Sequence, residues 1–449
     1  MAARRAGRGV HGGLVHPVIV VPGITASSLR DEYQVDPELV WSLVRKDYER
    51  VTLHPDDRRY ELREPARVRA DQVLGLPYRE LIRELRHDLS PREDQPTPVF
   101  PFAYDWRQPL ARSETQLAEF VDEVIGRTAL LPHYHKVGYA DDPRVNLVGH
   151  SMGGLVIAGL LARGGGAQVG KVASLGSPFR GSLEAVVKIT TGLAELGPGL
   201  PSSRDREAAR LTPALYHLAP KFRGCLIDEA ERVVGSSFFD PGRWQRSVVA
   251  TLAEFIRRHG LEPTGRREQA QALLEALLDE AARHRRRLER LDLGAVGLAA
   301  EDWLCVVGVG RATRVRVRIR ERGDSAELHL TQRDQLDEWR VAGGDAVLTG
   351  DGTVPYRGAE PQFLPAESLV CVAPEDFGSW ELGDRLLAAD FLGGFHGLLP
   401  KMNLVHRLVA SHFEGVRRRG CWGRPSPALA DPEAWTPPIA GLEREDARG

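Results

Sequence analysis

Five short runs of β-branched and small apolar residues recur along the chain, each breaking off at glycine or proline. They are residues 17–23 (PVIVVPG), 145–151 (VNLVGHS), 171–178 (KVASLGSP), 304–310 (LCVVGVG) and 368–374 (SLVCVAP). A strand covered on one face alternates apolar with polar residues, whereas a near-continuous apolar run needs cover on both. Helical periods lie between the runs: Leu81, Leu85 and Leu89, then Leu117, Phe120, Val121 and Val124. Doubly buried strands alternating with amphipathic helices predict an α/β fold, with a mostly parallel central sheet flanked by helices.

With 60 basic and 62 acidic residues the net charge is near −2, so no global field favours nucleic acid. Cys225, Cys305, Cys371 and Cys421 lie far apart with no CxxC pair, which suits a reducing compartment better than a disulfide framework. Residues 1–13 lack the apolar run of a secretory signal, and no run of about 18 apolar residues occurs anywhere. These features point to a cytoplasmic protein.

The strand–helix rhythm breaks between 186 and 300. A Gly/Pro loop (GLAELGPGLPSS) gives way to a helical stretch with Leu273, Leu274, Leu277, Leu278, Ala281, Leu288 and Leu291 on one face. That segment is expected to form a helical cap. Its opposite face carries RHRRRLER (283–290), read as a solvated helix surface in preference to an anionic-lipid contact. Residues 314–330 alternate strictly and turn at Gly323–Asp324, the pattern of a β-hairpin. The organisation expected is a flexible N-terminus (1–16), a first core part (17–185) with a small insertion at 31–70, the cap (186–300), a second core part (301–412) and a Pro-rich flexible tail (413–449).

The run at 145–151 continues as Gly-His-Ser-Met-Gly-Gly into an apolar, helix-compatible stretch, which places Ser151 on a strand-to-helix turn. Side chains two residues before and after such a serine would collide, and Gly149 and Gly153 remove them. Gly154 permits close helix–strand packing. Serine is a weak nucleophile without a base, an orienting acid and an oxyanion hole, and in this arrangement acid and base follow the serine in that order. Asp351, between Gly350 and Gly352, is the candidate acid; Asp345 and Asp324 are competitors that open a strand and sit in a hairpin turn. His396, in a Gly-flanked loop before a last helix, is preferred as base over His406, which falls within that helix. The backbone N–H groups of Ile24 and Met152 are the candidate oxyanion donors. His133 with His135, and His11 with His16, lack a supporting carboxylate or cysteine, so no metal site is expected, and no cofactor is required.

The ordered set VIVVPGI, VWSLVRKD (40–47), FAYDWRQPL (102–110), LVGHSMGG, SLGSPFRGS (174–182), VVGVGRAT (306–313), GDGTVP (350–355) and the final His396 resembles the lecithin:cholesterol acyltransferase family of α/β-hydrolases over about 17 to 410. The resemblance implies Ser151 as nucleophile, Asp351 as acid, His396 as base and oxyanion donors at Ile24 and Met152. Trp106 and Phe179, which stand in these motifs, are expected to bind substrate. The resemblance also implies acyl transfer from a lipid ester, with the insertion carrying Trp41, Leu43 and Val44 making transient contact with a membrane surface. About twenty residues separate the last strand from His396. The function expected is hydrolysis of lipid carboxylic esters. The alternatives are an O-acyltransferase, which would differ in delivering the acyl group to an alcohol, and a non-catalytic binding protein on the same scaffold.

Overall fold

The computed structural model describes residues 10–444 apart from 12, 54–66, 193–202, 236, 261–263, 323–324, 339–346, 379–380, 382–393 and 430. Expectations for most of the 192–203 loop, most of the segment before His396, Asp345 and the turn at Gly323–Asp324 therefore fall outside the described residues.

The central sheet consists of β1 (Val18–Val21), β2 (Val99–Pro101), β3 (Val145–His150), β4 (Val169–Leu175), β5 (Trp303–Gly308) and β6 (Leu369–Val372). Its spatial order is β6-β5-β4-β3-β1-β2, with every neighbouring pair parallel. The longer helices are α1 (Gly75–Leu89), α2 (Leu110–Ala129), α3 (Met152–Ala162), α4 (Leu183–Thr191), α5 (Ser203–Leu211), α6 (Arg246–His259), α7 (Arg266–Glu289) and α8 (Asn403–Glu414). The two-residue period of a strand divides the sheet between two cores. Ile19, Val21, Leu147, Val172, Cys305 and Val307 meet Leu117 and Val121 of α2 and Leu155 and Val156 of α3. Val18, Val20, Val148, Ala173, Leu304 and Val306 meet Leu81 and Leu85 of α1 and Leu404, Val405 and Leu408 of α8. Cover on both faces is why the runs are apolar at nearly every position, and the expected α/β architecture is the one the chain adopts.

Three expectations are corrected. The tail described to residue 444 is packed, not flexible. Trp422, Leu429, Trp435 and Ile439 are buried, Trp435 Nε1 donates to Leu369 O at 2.8 Å, and Arg424 exchanges backbone hydrogen bonds with Cys371 at 2.8 and 3.1 Å. An edge strand leaves a row of peptide groups unpaired, and the tail covers that of β6. At the other end, Val10–His11 pairs with Leu14–Val15 and His16 is buried, so the described residues of this segment are not a flexible arm either.

The second correction concerns the insertion. Ser27–Asp31, Glu38–Trp41 and Val68–Val73 form an antiparallel sheet that buries Trp41 completely. The indole lies 4.9 Å from the Trp106 ring, carries Lys46 Nζ at 3.7 Å over its face and donates Nε1 to Thr25 O at 3.0 Å. With its N–H satisfied and its faces covered it is core, not a membrane anchor. Among the described residues of this region, Val35 and Val44 are the exposed large aliphatic ones.

Third, the arginine run of α7 is only partly solvated. Arg283, Arg286 and Arg290 are exposed, but Arg285 is fully buried and donates to the carbonyls of Phe179, His217 and Ala219. One guanidinium thus ties together three carbonyls from separate parts of the chain. The adjacent pair ties α7 to the core. His284 Nε2 bonds Glu114 of α2 at 2.9 Å, and Arg287 Nη2 donates to both Glu114 oxygens at 2.6 Å. The Glu114 carboxylate lies over Gly159 of α3, where a Cβ would clash with it. Beyond β5, Val317–Arg322 and Ser325–His329 form the expected hairpin, and Leu226–Ile227 adds a parallel strand to it. All four cysteines are free and buried. Among the described residues no helix is long and apolar enough to cross a membrane.

Gly159→Ala should displace Glu114 and cost about 3–5 kcal/mol, the range for breaking a buried ion pair, read as a lowered midpoint in denaturant unfolding. Despite Glu114, burial holds the His284 imidazole below its ordinary 6.5, so stability drains as pH falls below about 6.5, where the unfolded chain takes up that proton first. His284 and Arg287 hold the Glu114 carboxyl below its ordinary 4.5 despite the opposing effect of burial, so a second loss begins below about 4.5. Unfolding midpoints measured from pH 8 to pH 4 should fall for the wild type. A flat profile would contradict the assignment.

Candidate active site

Strand β3 ends at His150 and helix α3 starts at Met152, leaving Ser151 between them at φ 53° and ψ −125°. A non-glycine residue held there stores about 1–3 kcal/mol of strain, and such strain persists only where the surroundings over-determine it. Here they do. Ser151 N–H donates to Leu175 O at 2.9 Å, and α3 presses so close to β1 that a Cβ on Gly153 would overlap Val21 O and Pro22 O. A Cβ on Gly149 would lie 2.7 Å from Gly154 N. Gly154 makes room chiefly for the Ser177 side chain.

The structure brings Ser151, Asp351 and His396 together, and all three are buried. Asp351 stands in a tight turn beside the end of β5, where a Cβ on Gly308 would lie 2.6 Å from its own Cβ. Its Oδ1 accepts the N–H groups of Thr353 at 2.9 Å and Val354 at 2.7 Å, leaving Oδ2 for His396 Nδ1 at 2.6 Å. His396 sits on a helical turn, Phe395–Leu398, and its backbone N–H donates to Asp351 O at 3.1 Å. Its Nε2 lies 2.9 Å from Ser151 Oγ. An ionised carboxylate only accepts, so Nδ1 carries the ring proton and the Nε2 lone pair faces the serine hydroxyl. The competitor His406 is in α8, where its Nε2 bonds Pro400 O at 2.8 Å and burial pushes its imidazole down to about 4.

The N–H groups of Ile24 and Met152 make no hydrogen bond among the described residues. Ile24 follows the end of β1, where Gly23 is so close that a Cβ on it would lie 3.0 Å from Ser151 Cβ. Thr25 has φ 64°, and residues from the Trp41 segment and the FAYDWRQPL motif hold this turn. Tyr104 O–H donates to Pro22 O at 2.9 Å, Trp41 Nε1 to Thr25 O at 3.0 Å and Trp106 Nε1 to Ser27 O at 3.1 Å. Trp106 is therefore placed behind the site, with its polar atom engaged by the protein. Phe179 is also buried, between Trp303 (ring centroids 5.9 Å apart) and Phe363 (5.3 Å). The structure does not put either ring on an open surface beside Ser151.

Sequence reasoning missed two polar residues. His150 and Tyr78 are completely or almost completely enclosed, with His150 Nδ1 2.7 Å from Tyr78 Oη and His150 Nε2 3.0 Å from His396 O. The histidine is visible beside the serine, but its partners are 72 and 246 residues away and no local pattern reports them.

No curated protein matches the sequence. Among solved structures, one described as "The crystal structure of Tle4-Tli4 complex" superposes with a TM-score of 0.58 at 17% identity, over 89% of this chain and 97% of that chain. At that identity the likeness speaks for the fold, which is the α/β-hydrolase fold. The sequence pattern of the lecithin:cholesterol acyltransferase family matches residues 93–247, the stretch holding Trp106, Ser151 and Phe179, and that is the family this chain resembles.

Proposed function

We propose that the chain is a serine hydrolase that cleaves carboxylic esters of lipids through an acyl-enzyme on Ser151. The observation that carries the reading is the continuous proton path from Ser151 Oγ to His396 Nε2 (2.9 Å) and from Nδ1 to Asp351 Oδ2 (2.6 Å). In this mechanism Oγ attacks the ester carbonyl carbon as its proton passes to Nε2. The tetrahedral oxyanion is held by the N–H groups of Ile24 and Met152. Collapse breaks the bond to the leaving alcohol, which takes the proton from Nε2. Water then repeats the sequence on the acyl-enzyme, with His396 as base. Asp351 keeps the imidazole in the Nδ1–H tautomer and stabilises the imidazolium that forms twice per cycle.

The match to the acyltransferase family supports chemistry on lipid esters in general. Its description also favours a second reading, in which an alcohol and not water accepts the acyl group from Ser151. In both readings residues 17–185 and 301–412 form the catalytic core, the 186–300 segment covers the acyl chain, and Trp106 and Phe179 shape the site from behind.

Hydrolysis of p-nitrophenyl esters of graded chain length, combined with a fluorophosphonate label, tests the reading. Ser151→Ala should abolish labelling and lower turnover roughly 10⁴-fold, because the remaining groups cannot form an acyl-enzyme. Label persisting in that variant would exclude Ser151, and a wild type without ester turnover would favour the binding-protein alternative. Added alcohol that diverts product to a new ester identifies transfer. In single-turnover experiments His396→Ala should abolish acylation while His406→Ala retains most of it, and the reverse result would move the base to α8.

A further inference from the structure

The turn that carries Ile24 faces two opposing demands. Position 23 favours glycine for space, since a Cβ there would lie only 3.0 Å from Ser151 Cβ and press on the nucleophile. Yet glycine is the residue least able to fix its own backbone dihedrals, and these set the direction of the next N–H, that of Ile24. Some other group has to hold the peptide.

We propose that Tyr78 and His150 are positioning residues for the chemistry at Ser151. A directed chain of three hydrogen bonds joins the turn carrying Ile24, the elbow carrying Ser151 and the turn carrying His396 into one unit. The inference rests on the acyl-enzyme reading given above. The chain begins with Gly23 N–H, which donates to Tyr78 Oη at 2.9 Å. It continues from Tyr78 Oη to His150 Nδ1 at 2.7 Å and from His150 Nε2 to His396 O at 3.0 Å.

Every direction in the chain is forced. A carbonyl oxygen only accepts, so His150 Nε2 carries a proton. In a neutral ring Nδ1 is then an acceptor, and Tyr78 O–H must be its donor. The phenol oxygen keeps a lone pair for Gly23 N–H. Burial pushes the His150 imidazole down to about 3, with the nearby His396 adding to the effect, so the ring stays neutral wherever the enzyme works. The ring centroids of His150 and His396 are 5.0 Å apart, a separation at which a second positive charge would oppose the imidazolium of the base. His150 therefore moves no proton in the reaction. It transmits position.

Tyr78 lies in the first turn of α1 and packs edge-on to His150, with centroids 5.7 Å apart. Helix α1 belongs to the core on the opposite side of the sheet from α3. The chain thus references the oxyanion turn and the base to a helix on the far side from the one that carries the elbow. A substituent that reacts well only when three loops agree to a fraction of an ångström needs such a cross-tie, because a misplacement of about 1 Å costs on the order of 10²-fold in rate.

Tyr78→Phe keeps the ring and removes both hydrogen bonds of the hydroxyl. His150→Asn places an amide oxygen near the former Nδ1, where it accepts from Tyr78, but it is too short to reach His396 O. Steady-state kinetics on a p-nitrophenyl ester are measured per Ser151 that takes up a fluorophosphonate at the endpoint, so that unfolded protein leaves the count. Tyr78→Phe should lower kcat roughly 10- to 100-fold with little change in KM, and slow the fluorophosphonate labelling rate by a similar factor. His150→Asn should lose less. The double variant should lose about as much as Tyr78→Phe alone, since members of one chain couple. A kcat within twofold of wild type in both single variants, or a loss confined to KM, would overturn the proposal while leaving Ser151 in place. Absence of label on wild-type Ser151 would overturn both readings.

Discussion

Ser151 is held at φ 53°, ψ −125°, a conformation that serine does not adopt unaided. What holds it is the close packing of α3, on one face of the sheet, against the end of β1. The strand behind the serine is anchored on both sides by parallel neighbours, and the helix ahead of it rests against Val21 O at a separation that only Gly153 permits. Loosening that contact would let the turn relax and take Ser151 Oγ out of reach of His396 Nε2. The doubly covered sheet is therefore the source of the geometry at the site, and the two cores on its faces keep it in place.

A parallel sheet gathers the C-terminal ends of its strands on one edge, where loops from distant parts of the chain can meet. Here the end of β1 supplies Gly23 and Ile24, the end of β3 supplies Ser151, and the end of β5 abuts Asp351. Buried polar groups at this edge are nearly all committed. Asp351 uses one oxygen for two backbone N–H groups and the other for His396. Tyr104 and Trp106 satisfy the carbonyls of Pro22 and Ser27. The N–H groups of Ile24 and Met152 stand apart as donors with no partner among the described residues. Unsatisfied donors beside a nucleophile are what an oxyanion site needs before substrate arrives.

Five of the six central strands were legible in the sequence because burial on both faces leaves a near-continuous run of apolar residues in place of a strict alternation. β2 was not, because an edge strand of three residues containing Pro101 has neither length nor pattern. The order of Ser151, Asp351 and His396 was legible because glycines mark the turns that carry them. Trp41 and Arg285 were misread for one shared reason: sequence shows the type of a side chain but not the carbonyl waiting for it. Trp41 finds Thr25 O, and Arg285 finds the carbonyls of Phe179, His217 and Ala219. The tail was misread because proline content signals a chain that cannot form helix, which is also what lining the edge of β6 requires.

In the proposed reaction the site is built around the oxyanion that forms above Ser151. The most direct measurement is a crystal structure of the fluorophosphonate adduct, whose tetrahedral phosphorus stands in for the reacting carbonyl carbon. The expected result is an adduct on Ser151 Oγ, with the phosphoryl oxygen within about 3 Å of the N–H groups of both Ile24 and Met152. A phosphoryl oxygen turned away from both N–H groups, or an adduct on any other side chain, would contradict it.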